Sequence, residues 1–214
     1  MAYKNTRLLI RVDCTPISDT ESLSRKLRGI EGFYDNFSEY NHFKIGDTAN
    51  FRNGTIKNME PDELVSRYYK RADGIDYVFD FTSRFFYVRL IGEEGLPAEF
   101  KDYYRIMEDA VKVVLENDKF VRIVNYGVGK EYVEQRPAPL VEDLDKIERD
   151  AYTSEHGRIR IICQKREMKD VISQTIVASV DEVAKNPNYE ASEKLYGQAF
   201  MNALKEAEEK YVGR

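Results

Sequence analysis

The chain of 214 residues has no tryptophan, two cysteines and two histidines. It also has no apolar run approaching the roughly 20 residues that cross a bilayer. Each scarcity excludes something. Cys14 and Cys163 stand alone in strand-like runs, so no disulfide framework and no Cys-x-x-Cys metal pair can be written, and both thiols are expected to be buried. His42 and His156 have no HxxH or HExxH spacing, and Glu155-His156-Gly157 reads as a solvated turn. No metal, cofactor or catalytic residue is therefore expected. The opening "MAYKNTRLLIRVD" lacks the apolar stretch and cleavage site of a secretory signal, which predicts a cytoplasmic protein without a membrane partner. With a net charge of −5 the chain as a whole has no attraction for nucleic acid, so any such binding must come from a local patch.

What is present is apolar at 42% and charged at 33%, the balance of a globular protein, with 15 Tyr and 11 Phe. Leu8, Ile10 and Val12 alternate with Arg7, Leu9, Arg11 and Asp13, the period of a half-buried strand. Ser18-Asp19-Thr20-Glu21 is a capping box ahead of Leu23, Leu27 and Ile30 at helical spacing. Residues 35–72 read as an insert, with a hairpin turn at Asn53-Gly54 and a short helix over "MEPDELVSRYYKR". "DYVFDFTSRFFYVRLI" is an aromatic hairpin turning at Thr82-Ser83-Arg84. A helical stripe over 98–117 leads into the strand "KFVRIVNYGV".

The order β-α-insert-β-β-α-β predicts an α+β fold: an antiparallel ferredoxin-like βαββαβ sheet with helices on one face, over residues 1–136. Pro137 and Pro139 mark a connector. Residues 140–214 then read as a smaller α/β subdomain. Leu140, Leu144, Ile147 and Ala151 space as a helix, "GRIRIICQ" and "VISQTIVASV" as strands, and about 190–211 as a closing helix.

Gly127-Val128-Gly129-Lys130 is the nearest approach to a phosphate-binding motif. A P-loop needs four residues between its first glycine and Gly-Lys, then Ser or Thr, and here Glu131 follows Lys130. A dinucleotide fingerprint needs a helix directly after the glycines, but "KEYVEQRPAP" runs to prolines. The glycines therefore read as a bend or bulge in an edge strand. If Leu8, Ile10 and Val12 face the helices, Arg7 and Arg11 face away. Phe85, Tyr87 and Arg89 share one face of their strand, and Arg122 and Tyr126 one face of theirs.

A basic, aromatic sheet face suits single-stranded RNA or DNA, although "RFFYVRL" and "LLIRV" lack the RNP patterns. Arg158 and Arg160 form a second basic stretch. Three functions follow. The first is a non-enzymatic interaction or regulatory protein holding a protein partner, or a second copy, through the sheet face or basic C-terminal strand. The second is a single-strand nucleic-acid binder using Arg7, Arg11, Tyr87 and Arg89. The third acts on a small phosphorylated ligand through Lys130 or Arg158, and requires a pocket beside them.

The element order, with "RIVNYGVGKEYV" and the tail "YGQAFMNALKEAEEKY", resembles a sporadically distributed bacterial family of unknown function. That family has an Arg-Ile-Gly-rich strand ending in a Tyr-Ile-Asn-like segment. Asn125 and Tyr126 stand where the family has Gly-Leu-Arg, and the closing Asn is absent. The resemblance implies a cytosolic bacterial accessory protein and transfers no catalytic residue.

Overall fold

A computed structural model describes residues 3–44, 64–135, 146–155, 158–168, 170–181 and 195–212. The first strand, β1 (Lys4–Cys14), alternates as its sequence requires, with Leu8, Ile10 and Val12 wholly buried. Helix α1 (Thr20–Leu27) follows. Its N-cap is Asp19, whose carboxylate accepts the Ser22 N–H at 2.9 Å. Ser18 is drawn away from the capping role, because its N–H and hydroxyl both donate to Asp118 Oδ2. A short α2 (Phe33–Asn36) leads to β2 (Glu39–Lys44).

Three strands come next: β3 (Leu64–Ala72), β4 (Ile75–Phe81) and β5 (Phe85–Gly92). Helix α3 (Lys101–Asn117) carries Tyr103, Ile106, Met107, Ala110, Val111 and Val114 on its buried stripe. Then come β6 (Ile123–Gln135), β7 (Lys146–Thr153), β8 (Arg160–Glu167), β9 (Val171–Asp181) and α4 (Gln198–Tyr211).

Among the described residues these strands form one antiparallel sheet of nine in the order β2-β3-β4-β5-β1-β6-β9-β8-β7. The expected ferredoxin-like βαββαβ sheet with a separate C-terminal subdomain is thereby overturned. A four-stranded sheet would end at β4 and β6, but both are interior here. Strand β3 pairs along β4 from Ser66↔Phe81 to Ala72↔Ile75, and β9 along β6 from Asn125↔Asp181 to Gln135↔Val171. The C-terminal strands lengthen the same sheet, and their buried Ile161, Cys163, Ile176 and Ala178 join the core of Leu8, Phe86 and Val128. The expected connector at 136–140 lies outside the described residues.

Two helix expectations fail for the same reason. Residues 64–72 are a strand, with Tyr68 opposite Phe79, and Ile147 and Ala151 lie on the edge strand β7. Apolar spacings of one and four fit either period until a partner strand selects one. The Asn53-Gly54 turn lies outside the described residues.

All the longer helices lie on one face of the sheet. Helix α3 covers β1 and β5 with α1 packed beside it, while α4 covers β8 and β9. Tyr126, opposite Val12, meets Phe200 and Tyr196 at ring distances of 5.7 and 5.6 Å, and Tyr196 meets Tyr104 of α3 at 5.4 Å. Among the described residues no helix is long and apolar enough to cross a membrane.

Candidate functional site

The face opposite the helices is where the predicted binding residues gather. Directly paired residues share a face, so the register fixes its composition. Leu9 lies opposite Arg89 and Arg11 opposite Tyr87. Asp80 lies opposite Tyr87 and Arg67 opposite Asp80. Across the sheet, Glu131 lies opposite Arg7, Val177 opposite Gly129, Ile162 opposite Val177 and Arg160 opposite Ser179. Arg166 and Arg149 continue the face on β8 and β7.

Its centre is an ordered ladder. The Arg11 guanidinium lies 4.4 Å from the centre of the Phe85 ring. Phe85 stacks on Tyr87 at 5.9 Å with 15° between ring planes, and the Arg89 guanidinium is 6.0 Å from the Tyr87 ring. Beneath them Asp80 is 2% exposed and accepts two bonds from Arg67, at 2.7 Å from Nε and 2.6 Å from Nη2. The Tyr87 hydroxyl donates to the same carboxylate. Burial first, and Asp80 second, raise the Tyr87 phenol well above its ordinary range, so it keeps the proton it donates. Arg11 is tied back to Asp13 at 2.7 Å, and Arg7 to Glu131 at 3.2 Å. Glu131 also accepts the Ser173 hydroxyl at 2.7 Å.

Arg7, Arg11, Tyr87, Arg89 and Arg160 are therefore brought to one surface. Arg158 is exposed just ahead of β8. Arg122 is exposed just ahead of β6, its backbone bonded to Thr15. Tyr126, expected to share the open face with Arg122, turns instead under α4.

Lys130 also lies on the helix-covered side. Its side chain is 11% exposed, 2.6 Å from Glu208 of α4 and 5.5 Å from the Phe100 ring centre. The motif that contains it is not a bend in an edge strand. Gly127 and Gly129 sit in the interior of β6, paired on both sides without a register shift. A Cβ on Gly127 would come within 2.7 Å of the Ala178 carbonyl oxygen, so close strand packing requires glycine there.

An open cleft of about 520 Å³ lies beside Lys130, between the start of α3 and the start of α4. The third function required such a pocket. Its walls include Phe100, Tyr104 and Tyr196. Cys14 and Cys163 are both buried, and burial, followed by Asp150, pushes the Cys163 thiol up to about 11, unsuited to nucleophilic work at neutral pH. The His42 side chain and all of His156 lie outside the described residues.

The Arg67–Asp80–Tyr87 network was not foreseen, since reading 64–72 as a helix hid Arg67 from the sheet. The signal was the alternation of Arg67, Tyr69 and Arg71 with Ser66, Tyr68 and Lys70. Compared with known proteins, the chain matches no family model and no curated protein sequence.

Proposed function

We propose that this is a cytoplasmic, non-enzymatic interaction protein that holds an acidic protein partner on the open face of its sheet. The observation that carries the reading is the Arg11–Phe85–Tyr87–Arg89 ladder anchored on Asp80. Arginine and tyrosine dominate the binding energy of protein interfaces, and side chains already fixed lose little entropy when a partner arrives.

Half-buried Leu9, Ile91, Ile162 and Val177 supply apolar contact between the charges. Among the described side chains of this face, arginines 7, 11, 67, 71, 89, 149, 160 and 166 outnumber the carboxylates Asp13, Glu39, Asp76, Asp80 and Glu131, while the whole chain carries −5. A second copy docked face to face would set one arginine-rich face against another, which favours a different, acidic chain.

Base stacking is the poorer match. The Phe85 and Tyr87 rings are engaged with each other and with arginines, and the Tyr87 hydroxyl is tied down. Arginine-selective labelling tests the proposal on protein taken gently from its source and on the isolated chain. Arg149, Arg160 and Arg166 should be protected in the former and reactive in the latter. Equal labelling in both would remove this face as the interface.

A further inference from the structure

Strand β7 ends the sheet. Among the described residues it pairs with β8 alone, from Lys146↔Glu167 to Thr153↔Arg160 and without a register shift. The Ser154 N–H donates to the Ile159 carbonyl oxygen at 2.8 Å, and hydrogen-bonded pairs alternate along an antiparallel ladder. Residues 146, 148, 150 and 152 therefore direct their backbone groups to β8, while Ile147, Arg149, Ala151 and Thr153 direct theirs outward. The Ala151 N–H is already taken, by Asp150 Oδ1 at 2.9 Å. Ile147 is 55% exposed on this edge. Edges are commonly blunted by proline or a bulge, and β7 has neither.

The charges beside Ile147 say what the edge fits. On the side of the sheet that carries the helices, Lys146 lies opposite Glu167 and Glu148 opposite Lys165, so sign alternates both along and across the strands. Lys146 and Glu148 are 2.5 Å apart and both 58% exposed. A second copy laid antiparallel, with a two-fold axis at Ile147, continues the alternation. Each row across the junction then runs Glu167, Lys146, followed by Glu148 and Lys165 of the second copy. Asp145 and Arg149, equally distant from Ile147 in the sequence, are also opposite in charge.

Other centres fit worse. An axis at Arg149 sets that arginine against itself and Glu148 against Asp150, and an axis at Glu148 or Asp150 sets a carboxylate against its equivalent. An axis at Ala151 brings no opposite charges together. We propose that two copies of the chain join edge to edge through β7, about a two-fold axis at Ile147, with Lys146 of each facing Glu148 of the other. The axis runs through the plane of the sheet, so both arginine-rich open faces look the same way and remain free. The pairing does not depend on the acidic partner proposed above.

One strand edge is a small contact, so association is expected at about 100 µM, and the chain is monomeric well below that. Sedimentation equilibrium of the full chain, up to several times that concentration, tests the pairing. The average mass should rise from 25.0 kDa toward twice that value. Lys146→Glu and Glu148→Lys each set like charges across the axis, and each should weaken association about tenfold. An equimolar mixture of the two variants should regain it, because the acidic pair of one then faces the basic pair of the other. That recovery also shows both variants to be folded. A natural chain that stays at 25.0 kDa throughout would overturn the proposal. So would variants that associate as the natural chain does, or a mixture no stronger than its components.

Discussion

Asp80 is the residue on which the open face turns. Its carboxylate is buried, with Arg67 donating to both oxygens and Tyr87 to one of them. Removing either partner has a different cost. Arg67→Met leaves a buried carboxylate without its countercharge and should destabilise the chain by about 3–5 kcal/mol. Tyr87→Phe removes one of the three bonds and should cost about 1–3 kcal/mol. Urea unfolding of both variants measures the difference, and equal losses would mean that the Arg67 charge counts for no more than the Tyr87 hydroxyl.

A second carboxylate gives a pH signature. Asp118 accepts the Ser18 N–H, the Ser18 hydroxyl and the Phe120 N–H, and these bonds hold it below the ordinary carboxylate range. A depressed folded value means that the contribution is complete above the unfolded value, about 3.9. It is lost as pH falls through the depressed value. Stability measured against pH should therefore drop on the acid side in the unaltered chain, and the drop should be smaller in Asp118→Asn.

At the scale of the element, the two glycines of β6 separate packing from permissiveness. A methyl group on Gly127 would press on the Ala178 carbonyl oxygen at 2.7 Å. On Gly129 its nearest neighbours would be the Val177 Cγ2 at 3.7 Å and the Leu9 Cβ at 3.9 Å, both ordinary contacts. Gly127→Ala should lower the melting temperature by disturbing the β6–β9 pairing. Gly129→Ala should be neutral or stabilising by up to about 1 kcal/mol, because glycine is entropically unfavourable inside a strand. Thermal unfolding of the pair decides it, and a loss in both would show that neither glycine position tolerates a side chain.

Elements were legible in the sequence where local pattern and tertiary context agreed. The alternation of β1, the turn at Thr82-Ser83-Arg84 and the stripe of α3 each admit one period. Leu64, Val65, Tyr68 and Tyr69 admit two, and only pairing with β4 selects the strand. Ile147 and Ala151 are the same case on the edge strand. Arg7, Arg11, Tyr87 and Arg89 could be placed on one face because their period is two. Lys130 could not be read correctly, since its burial depends on Glu208, 78 positions later in the chain.

For the whole molecule, local pattern cannot tell whether a strand ends a sheet or continues it, which is why the sequence predicts a four-stranded sheet with a separate subdomain where the structure has one sheet of nine strands. The breadth of that sheet gives the open face its extent, from Arg67 on β3 to Arg149 on β7. Its charge runs against that of the whole chain, as a surface kept for an acidic partner should. Native mass spectrometry of the protein gently purified from its source, beside its Arg160→Glu/Arg166→Glu variant, tests this claim most directly. The account predicts extra mass that resolves as a different polypeptide on the natural chain, and the bare 25.0 kDa chain, apart from the substitutions, in the variant. Bound mass that releases nucleotides, or a polypeptide retained by the variant, would contradict it.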